Sequence, residues 1–221
     1  ILFLFIPLVL ILATGIYSQQ QIKELGDRIT ERSTDLVLEE GKDKIMQKTR
    51  NVALQAEIYL NAHPELKRQD FSKDPVFSQI MVQKVGESGY TCLFQHHEPG
   101  KDWGRALWGH PQEQIVGIVE KDALEGVFKK TLGPYFEPFW DIVLASRDGK
   151  ESEGFYNWKD FDGKIRKKYM AISPINLDRP GEFCLMSTAY IDEFTNKTES
   201  LRHSAKNMAR DTRNINLAIL L

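Results

Sequence analysis

Residues 154–170, GFYNWKDFDGKIRKKYM, decide the fold of this 221-residue chain. Two runs rich in aromatic and β-branched side chains flank Asp162-Gly163, and an Asp-Gly pair between such runs is typical of a β-hairpin. Successive side chains of a strand point to opposite faces of the sheet. We therefore expect Lys168 to share a face with Arg166, while Lys167 faces away from both.

The segments around this hairpin predict an antiparallel sheet flanked by helices. Strand composition recurs at residues 90–94 and 183–189, and helical patterns cover residues 75–82 and 134–145. Residues 95–108 are expected to form a long loop. This order of helices and strands is typical of an α+β fold with a mainly antiparallel sheet.

A long helix is predicted before the sheet. Residues 19–63 are helix formers without proline, and Pro64 is expected to end the helix. The first part carries apolar residues at a spacing of three, four and seven, which suits a partner helix. We call this set the stalk stripe: Ile22, Leu25, Ile29 and Leu36. A second set is predicted to pack on the domain itself: Ile45, Val52, Ala56, Tyr59 and Leu60.

Both ends of the chain are apolar. Residues 1–17 contain no charged side chain, and residues 215–221 read INLAILL. A membrane helix needs about 17 to 25 apolar residues, so we expect a transmembrane helix at 1–17 and the start of a second at 215–221. A cleaved signal peptide is the alternative for the first segment.

Between these ends we expect a stalk helix at residues 18–63, a compact domain at 64–194 and an exit helix at 195–214. Because residue 1 is Ile and not an initiator Met, we also expect the chain to come from a longer protein.

Charge and cysteine content exclude several classes of protein. Lys and Arg number 29 against 31 Asp and Glu, and this balance argues against a nucleic-acid partner. Cys92 and Cys184 form neither a zinc pattern nor a CxxC motif. We expect two buried thiols, with a disulfide in an oxidising compartment as the alternative.

Catalytic and cofactor motifs are missing from the sequence. It contains no P-loop, nucleophile elbow or dinucleotide-binding glycine pattern, so we expect no cofactor and no enzymatic activity. His96, His97, Glu98 and His110 are residue types that bind zinc. Adjacent histidines on a strand point to opposite faces, however, and we expect these to be polar loop residues that face water.

Four segments resemble a Cache-type extracytoplasmic sensor domain. They are VGESGYT at 85–91, FWDI at 139–142, the hairpin residues 154–170, and AYIDEF at 189–194. The resemblance implies a PAS-like antiparallel sheet with a long amino-terminal helix along it. It also implies a place between two membrane spans in a histidine kinase, chemoreceptor or nucleotide cyclase. The insert at 95–119 is longer and more aromatic than the resemblance predicts.

Small-ligand pockets combine aromatic walls with a few placed polar groups. The residues that we expect to bind a ligand are Tyr90, Trp103, Arg105, Trp108, Phe139, Trp140, Tyr156, Trp158, Lys168 and Tyr169. An ordinary place in the core is the alternative for each aromatic residue. A carboxylate would receive charge-assisted hydrogen bonds from Arg105 or Lys168.

We therefore expect the extracytoplasmic sensing domain of a cell-membrane receptor that works in two-component signalling or chemotaxis. Its partners would be a small organic ligand, with a carboxylate as one candidate, the membrane, and a second copy in a homodimer. Two alternatives stay open. One is a protein-interaction module with a filled pocket, and the other is a membrane-anchored hydrolase that uses the histidine-rich loop.

Overall fold

The computed structural model describes residues 2–96, 106–112, 115–117, 123–160, 162–178 and 182–196, together with residues 200, 203, 204, 207, 210 and 211. The chain divides into two compact units, residues 40–193 and residues 1–39 with 194–221. Its described helices are α1 (Leu2–Ala62), α2 (Pro75–Met81), α3 (Ala123–Leu132) and α4 (Phe136–Ala145). Its described strands are β1 (Lys84–Val85), β2 (Gly89–Gln95), β3 (Ala106–Gly109), β4 (Ser152–Lys159), β5 (Ile165–Ile175) and β6 (Phe183–Tyr190).

The strands form one antiparallel sheet. Its order is β1–β2–β6–β5–β4, and β3 pairs with β2. Tyr90 of β2 lies opposite Thr188 of β6, and Lys168 of β5 lies opposite both Tyr190 of β6 and Tyr156 of β4. Because directly paired residues point to the same face, these five side chains share one side of the sheet.

The domain part of α1 covers the other face of the sheet. Val52, Ala56 and Leu60 are at most 1% exposed and join a core cluster with residues of β2, β5 and β6. This packing confirms the second apolar set predicted from the sequence. The helix ends at Ala62, directly before His63 and the predicted terminator Pro64.

Helices α3 and α4 lie on the face that carries Lys168. Phe136, Phe139, Trp140 and Val143 of α4 are buried against residues of β2, β4, β5 and β6. The sheet is therefore a middle layer with helices on both faces. This arrangement confirms the predicted α+β class and the predicted packing of a long amino-terminal helix on an antiparallel sheet.

The β4–β5 hairpin confirms the structure predicted from Asp162-Gly163. Gly163 has a φ of 79°, a conformation that glycine adopts without strain, and its N–H donates to the Asp160 carbonyl at 2.9 Å. Lys168 is 4% exposed on the α4 side of the sheet. Lys167 lies on the other side, with Nζ 4.6 Å from the Phe155 ring centroid.

Three features differ from the sequence-based expectations. Strand β3 begins inside the predicted loop and ends one residue beyond it, because it is stabilised by pairing with β2, which local composition does not reveal. Helix α3 was not predicted. The helix expected from Pro134 begins at Phe136, since Gly133–Tyr135 forms a 3₁₀ turn that Gly133 enters with a φ of 55°.

Cys92 and Cys184 are buried free thiols, as predicted.

The stalk stripe belongs to the unit that includes residues 1–39. Its four side chains are between 57% and 71% exposed in the single chain. Much of the predicted exit helix at 195–214 and all of residues 215–221 lie outside the described residues.

No helix among the described residues has the length and apolar character needed to cross a bilayer.

Candidate ligand-binding cavity

A cavity lies between the sheet and helices α3 and α4. Strand alternation turns Tyr90, Cys92 and Phe94 of β2 toward it, together with Met186 and Thr188 of β6. Leu93, which lies between two of these β2 residues, faces α1 instead. The period of two along each strand therefore separates the floor of the cavity from the core under α1.

Aromatic side chains form much of the cavity wall. Phe139 of α4 lies 5.1 Å from Phe128 of α3 and 5.4 Å from Tyr156 of β4, measured between ring centroids. Trp140 stacks on Phe136 at 5.3 Å, and Trp158 meets Phe139 edge-on at 5.9 Å. These distances are typical of favourable aromatic pairs, so the wall is held together without a ligand.

The cavity volume is about 40 Å³. Since one water needs about 10 to 15 Å³ on this measure, the space holds about three waters or the body of a short-chain organic molecule. The described residues that line it are Tyr90, Cys92, Phe94, Leu107, His110, Leu124, Phe128, Phe139, Trp140, Val143, Tyr156, Trp158, Met186 and Thr188.

Lys168 places its ammonium group among three aromatic rings. Nζ lies 4.3 Å from the Tyr190 ring centroid, 5.1 Å from that of Trp158 and 5.6 Å from that of Tyr90. All three distances fall within the cation–π range of about 6 Å. Two of these rings line the cavity, so the ammonium lies at its edge. No described residue gives Lys168 Nζ a hydrogen bond or an ion pair.

The acidic group with the largest effect on the charge of Lys168, Asp160, is already occupied. Asp160 accepts hydrogen bonds from the Tyr190 hydroxyl and from Arg166 Nε, the latter at 2.5 Å. The Arg166 guanidinium also lies 4.0 Å from the Tyr190 ring centroid. Burial lowers the pKa of Lys168 from 10.5 to about 8, and the charge of Asp160 only partly opposes this decrease. The ammonium is therefore a buried cation whose hydrogens are open to an acceptor.

Tyr90 and His110 form a polar pair in the cavity wall. The Tyr90 hydroxyl lies 3.1 Å from His110 Nε2, and the Gln112 N–H donates to His110 Nδ1 at 2.9 Å. Burial lowers the pKa of His110 to about 4 and raises that of Tyr90 well above its usual range. Both groups are therefore neutral at physiological pH.

A second tyrosine hydroxyl in the wall is already bonded. Tyr156 lies 2.7 Å from Thr188 Oγ1, and burial raises the pKa of Tyr156. Burial also raises the pKa of Cys92 to about 12, so this thiol is a neutral and unreactive part of the wall.

The structure brings together most of the described residues that the sequence suggested. Tyr90, Phe139, Trp140, Tyr156 and Trp158 line the cavity, and Lys168 lies at its edge.

Two other candidates lie on the opposite face of the sheet. Trp108 Nε1 donates to Gln95 at 3.0 Å, and its ring lies against Phe71 in the core under α1. Tyr169 packs against Phe155 at 5.2 Å. Trp108 directly follows the cavity residue Leu107, and Tyr169 directly follows Lys168, so strand alternation turns both to the other side. Trp103 and Arg105 lie outside the described residues.

Sequence reasoning missed other residues of the site. His110 entered only as a candidate metal ligand, and nothing local indicates that it meets Tyr90, 20 positions earlier. Thr188 could have been found from strand alternation, because it follows Met186 by two positions on β6. Leu124, Phe128 and Leu132 recur at a spacing of four, a helical pattern that predicts the buried side of α3.

The described residues contain no group of three or more His, Cys, Asp or Glu side chains placed to hold a metal. The expectation that these residues face water is wrong for His96, which is 1% exposed and has Nε2 2.9 Å from the Ser146 hydroxyl. His97 and Glu98 lie outside the described residues.

Comparison with known proteins finds solved structures of weakly similar fold. One is a LOV protein from Rhodobacter sphaeroides, with 14% identity, a TM-score of 0.37 and coverage of 62% of this chain and 74% of that chain. Another is the periplasmic sensory domain of the Campylobacter jejuni chemoreceptor Tlp1, with 11% identity, a TM-score of 0.41 and coverage of 76% and 59%. A third is a sensory box histidine kinase/response regulator from Burkholderia thailandensis, with 11% identity, a TM-score of 0.30 and coverage of 54% and 91%. No protein-family model and no curated protein matches the chain.

Proposed function

We propose that this chain is the ligand-sensing domain of a signal-transduction receptor and that it binds a small organic acid in the cavity beside Lys168. The observation that carries this proposal is the buried ammonium group. It lies at the edge of an apolar cavity, and no described residue pairs it with an anion. Within the proposal the chain binds and signals, and catalysis is not part of its role.

The physical reason is the cost of burying an unpaired charge. Moving an ammonium away from water is unfavourable unless an anion and hydrogen bonds compensate for the lost hydration. The aromatic faces around Lys168 compensate in part. A carboxylate would accept charge-assisted hydrogen bonds from Nζ, which are stronger than neutral ones. The small, mainly apolar cavity next to Nζ suits the hydrocarbon part of a short-chain acid.

Contacts near the end of β6 support a route for the signal. Tyr190 touches the Lys168 ammonium through its ring and is the last residue of β6. Three residues later, the Glu193 carboxylate accepts hydrogen bonds from the N–H groups of Glu87 and Ser88, at 2.7 and 2.8 Å. A ligand at Lys168 would therefore act on the segment where the chain leaves the sheet, provided that it binds one arrangement of that segment better than another.

We also propose that the domain lies outside the cytoplasm between two membrane spans and forms a homodimer through the stalk stripe. The uncharged run at residues 1–17 and the apolar residues 215–221 support the membrane placement. The exposure of the stalk stripe supports a partner helix, because four large apolar side chains in one stripe are unfavourable in water.

The small cavity volume favours one alternative, a protein-interaction module that takes no small ligand. In that case Lys168 would be a structural residue, and ligand screens would show no selectivity for acids. The same experiment therefore separates the two functions.

The test is a thermal-shift and calorimetric screen of the purified chain against acetate, propionate, butyrate and the corresponding amines. Native mass spectrometry of the same sample would identify any molecule carried through purification. Lys168→Met should abolish the response to acids, whereas Lys167→Met, which removes the neighbouring lysine on the opposite face, should retain it. Selective binding of amines, or acid binding that Lys168→Met leaves unchanged, would refute the assignment.

A further inference from the structure

The hydrogen bonds of His110 fix its tautomer. The Gln112 backbone N–H can only donate, so Nδ1 of His110 presents a lone pair to it at 2.9 Å. With a pKa lowered to about 4 by burial, the ring is neutral at physiological pH. The single ring hydrogen therefore lies on Nε2.

This tautomer also sets the role of the Tyr90 hydroxyl. Nε2–H of His110 donates to Tyr90 Oη at 3.1 Å, and the two rings meet edge to face, with centroids 5.0 Å apart. Since one lone pair of Oη is used, the hydroxyl keeps its own hydrogen for another partner. Among the described residues none accepts that hydrogen. Among the described residues, the Tyr90 hydroxyl and the Lys168 ammonium are therefore two neighbouring donors without acceptors.

We propose that the Tyr90 hydroxyl is the second donor to the bound acid and that His110 is the positioning residue that holds this hydroxyl as a donor. The inference rests on the proposed function and adds a rule of specificity to it. A carboxylate presents an acceptor oxygen to each donor. The primary amide of the same shape presents one oxygen and one NH₂ group, so one of the two donors would face another donor.

The other hydroxyls near the cavity do not fill this role. Tyr156 is bonded to Thr188, and Tyr190 donates to the Asp160 carboxylate. Tyr90 is also the tyrosine whose ring both lines the cavity and lies within 5.6 Å of Lys168 Nζ. Its position between the apolar wall and the ammonium suits a donor to the second carboxylate oxygen.

Calorimetry with propionate and propionamide tests the inference on the purified full chain. The wild type should bind propionate about 10- to 100-fold more tightly than propionamide. The acid gains a charged hydrogen bond, whereas the amide leaves one of the two donors without an acceptor, and this difference is expected to have that size. Tyr90→Phe should lower this ratio by about 10-fold, mainly because it lowers the affinity for propionate. His110→Leu should lower the ratio in the same direction, and His110→Gln, which keeps a donor, should restore part of it.

The matched control is Tyr59→Phe. It removes a tyrosine hydroxyl that donates to Asp74 on the opposite face of the sheet, and it should leave the acid-to-amide ratio unchanged. Acid binding with a ratio that Tyr90→Phe does not alter would overturn this inference and leave the proposed function standing. The absence of acid binding in the wild type would overturn both.

A measurement on the wild type avoids the risk that a variant misfolds. Nitrogen NMR of labelled histidine distinguishes a protonated from an unprotonated ring nitrogen. The inference expects His110 at pH 7 to be neutral with its hydrogen on Nε2. A hydrogen on Nδ1, or a charged ring, would overturn it.

Discussion

Replacing Lys168 with methionine should stabilise the folded chain at neutral pH. Methionine keeps most of the side-chain length and removes the ammonium group. Lys168 is 4% exposed, and Asp160, the acidic group with the largest effect on its pKa, is held by Arg166 and Tyr190. The wild type therefore carries a buried charge that favours ligand binding at the expense of stability.

The pKa of Lys168 gives the size of this effect. Burial lowers it from 10.5 to about 8, a difference of 2.5 units. At 1.36 kcal/mol for each unit, keeping the ammonium inside the fold costs about 3 kcal/mol at pH 7. Lost contacts with the three rings offset part of the gain, so we expect Lys168→Met to raise the free energy of unfolding by about 1 to 3 kcal/mol.

The dependence on pH has a definite sign. Between pH 8 and 10.5 the unfolded wild type holds a proton at Lys168 that the folded state has lost. The stability of the wild type should therefore rise relative to Lys168→Met across this window and stay constant relative to it below pH 8. The variant's advantage is thus greatest near neutral pH.

Urea denaturation of both proteins at pH 7, 8, 9 and 10 would measure the difference. Lys167→Met is the matched control, because it removes a lysine from the same strand on the other face, and its difference from the wild type should be small at every pH. A loss of more than about 1 kcal/mol in Lys168→Met at pH 7 would contradict this expectation. The packing lost with the lysine side chain would then be worth more than the cost of burying its charge.

Three further experiments test the packing of the domain and the proposed contact through the stalk stripe. Trp140→Ala should lower the free energy of unfolding by about 3 to 5 kcal/mol, because the ring is 5% exposed and stacks on Phe136; a loss under 1 kcal/mol in urea would place it outside the core. Gly89→Ala should cost about 1 to 3 kcal/mol, since an added Cβ would collide with the carbonyl oxygens of Thr188 and Val85; an unchanged melting temperature would contradict this. Single cysteines along the stalk stripe should cross-link with a helical period in the intact receptor, and equal yields on all faces would exclude the stalk dimer.

Local patterns predicted the parts of the fold that short-range chemistry determines. The Asp162-Gly163 turn predicted the hairpin, and alternation along β5 correctly assigned Lys168 and Lys167 to opposite faces. The position of Pro64 predicted the end of α1. In each case the deciding residues are close together in sequence.

The remaining parts depend on contacts between distant residues. Strand β3 exists because β2 pairs with it, and its four residues are too few to show a period of two. The pairing of Tyr90 with His110 likewise depends on where β3 places the residue that follows it. Trp108 and Tyr169 were expected in the pocket because they are aromatic. Strand alternation instead places both on the face of the sheet opposite the cavity.

Side-chain NMR of the lysine ammonium groups would show whether Lys168 is a buried cation that binds an acid. The Lys168 signal, assigned by its loss in Lys168→Met, would be followed through a pH titration with and without propionate. We predict a midpoint near 8 for the free chain and a higher midpoint with propionate, because a bound anion favours the charged form. A midpoint near the usual lysine value of 10.5, unchanged by short-chain acids, would contradict the account of Lys168 as a buried cation that binds the ligand.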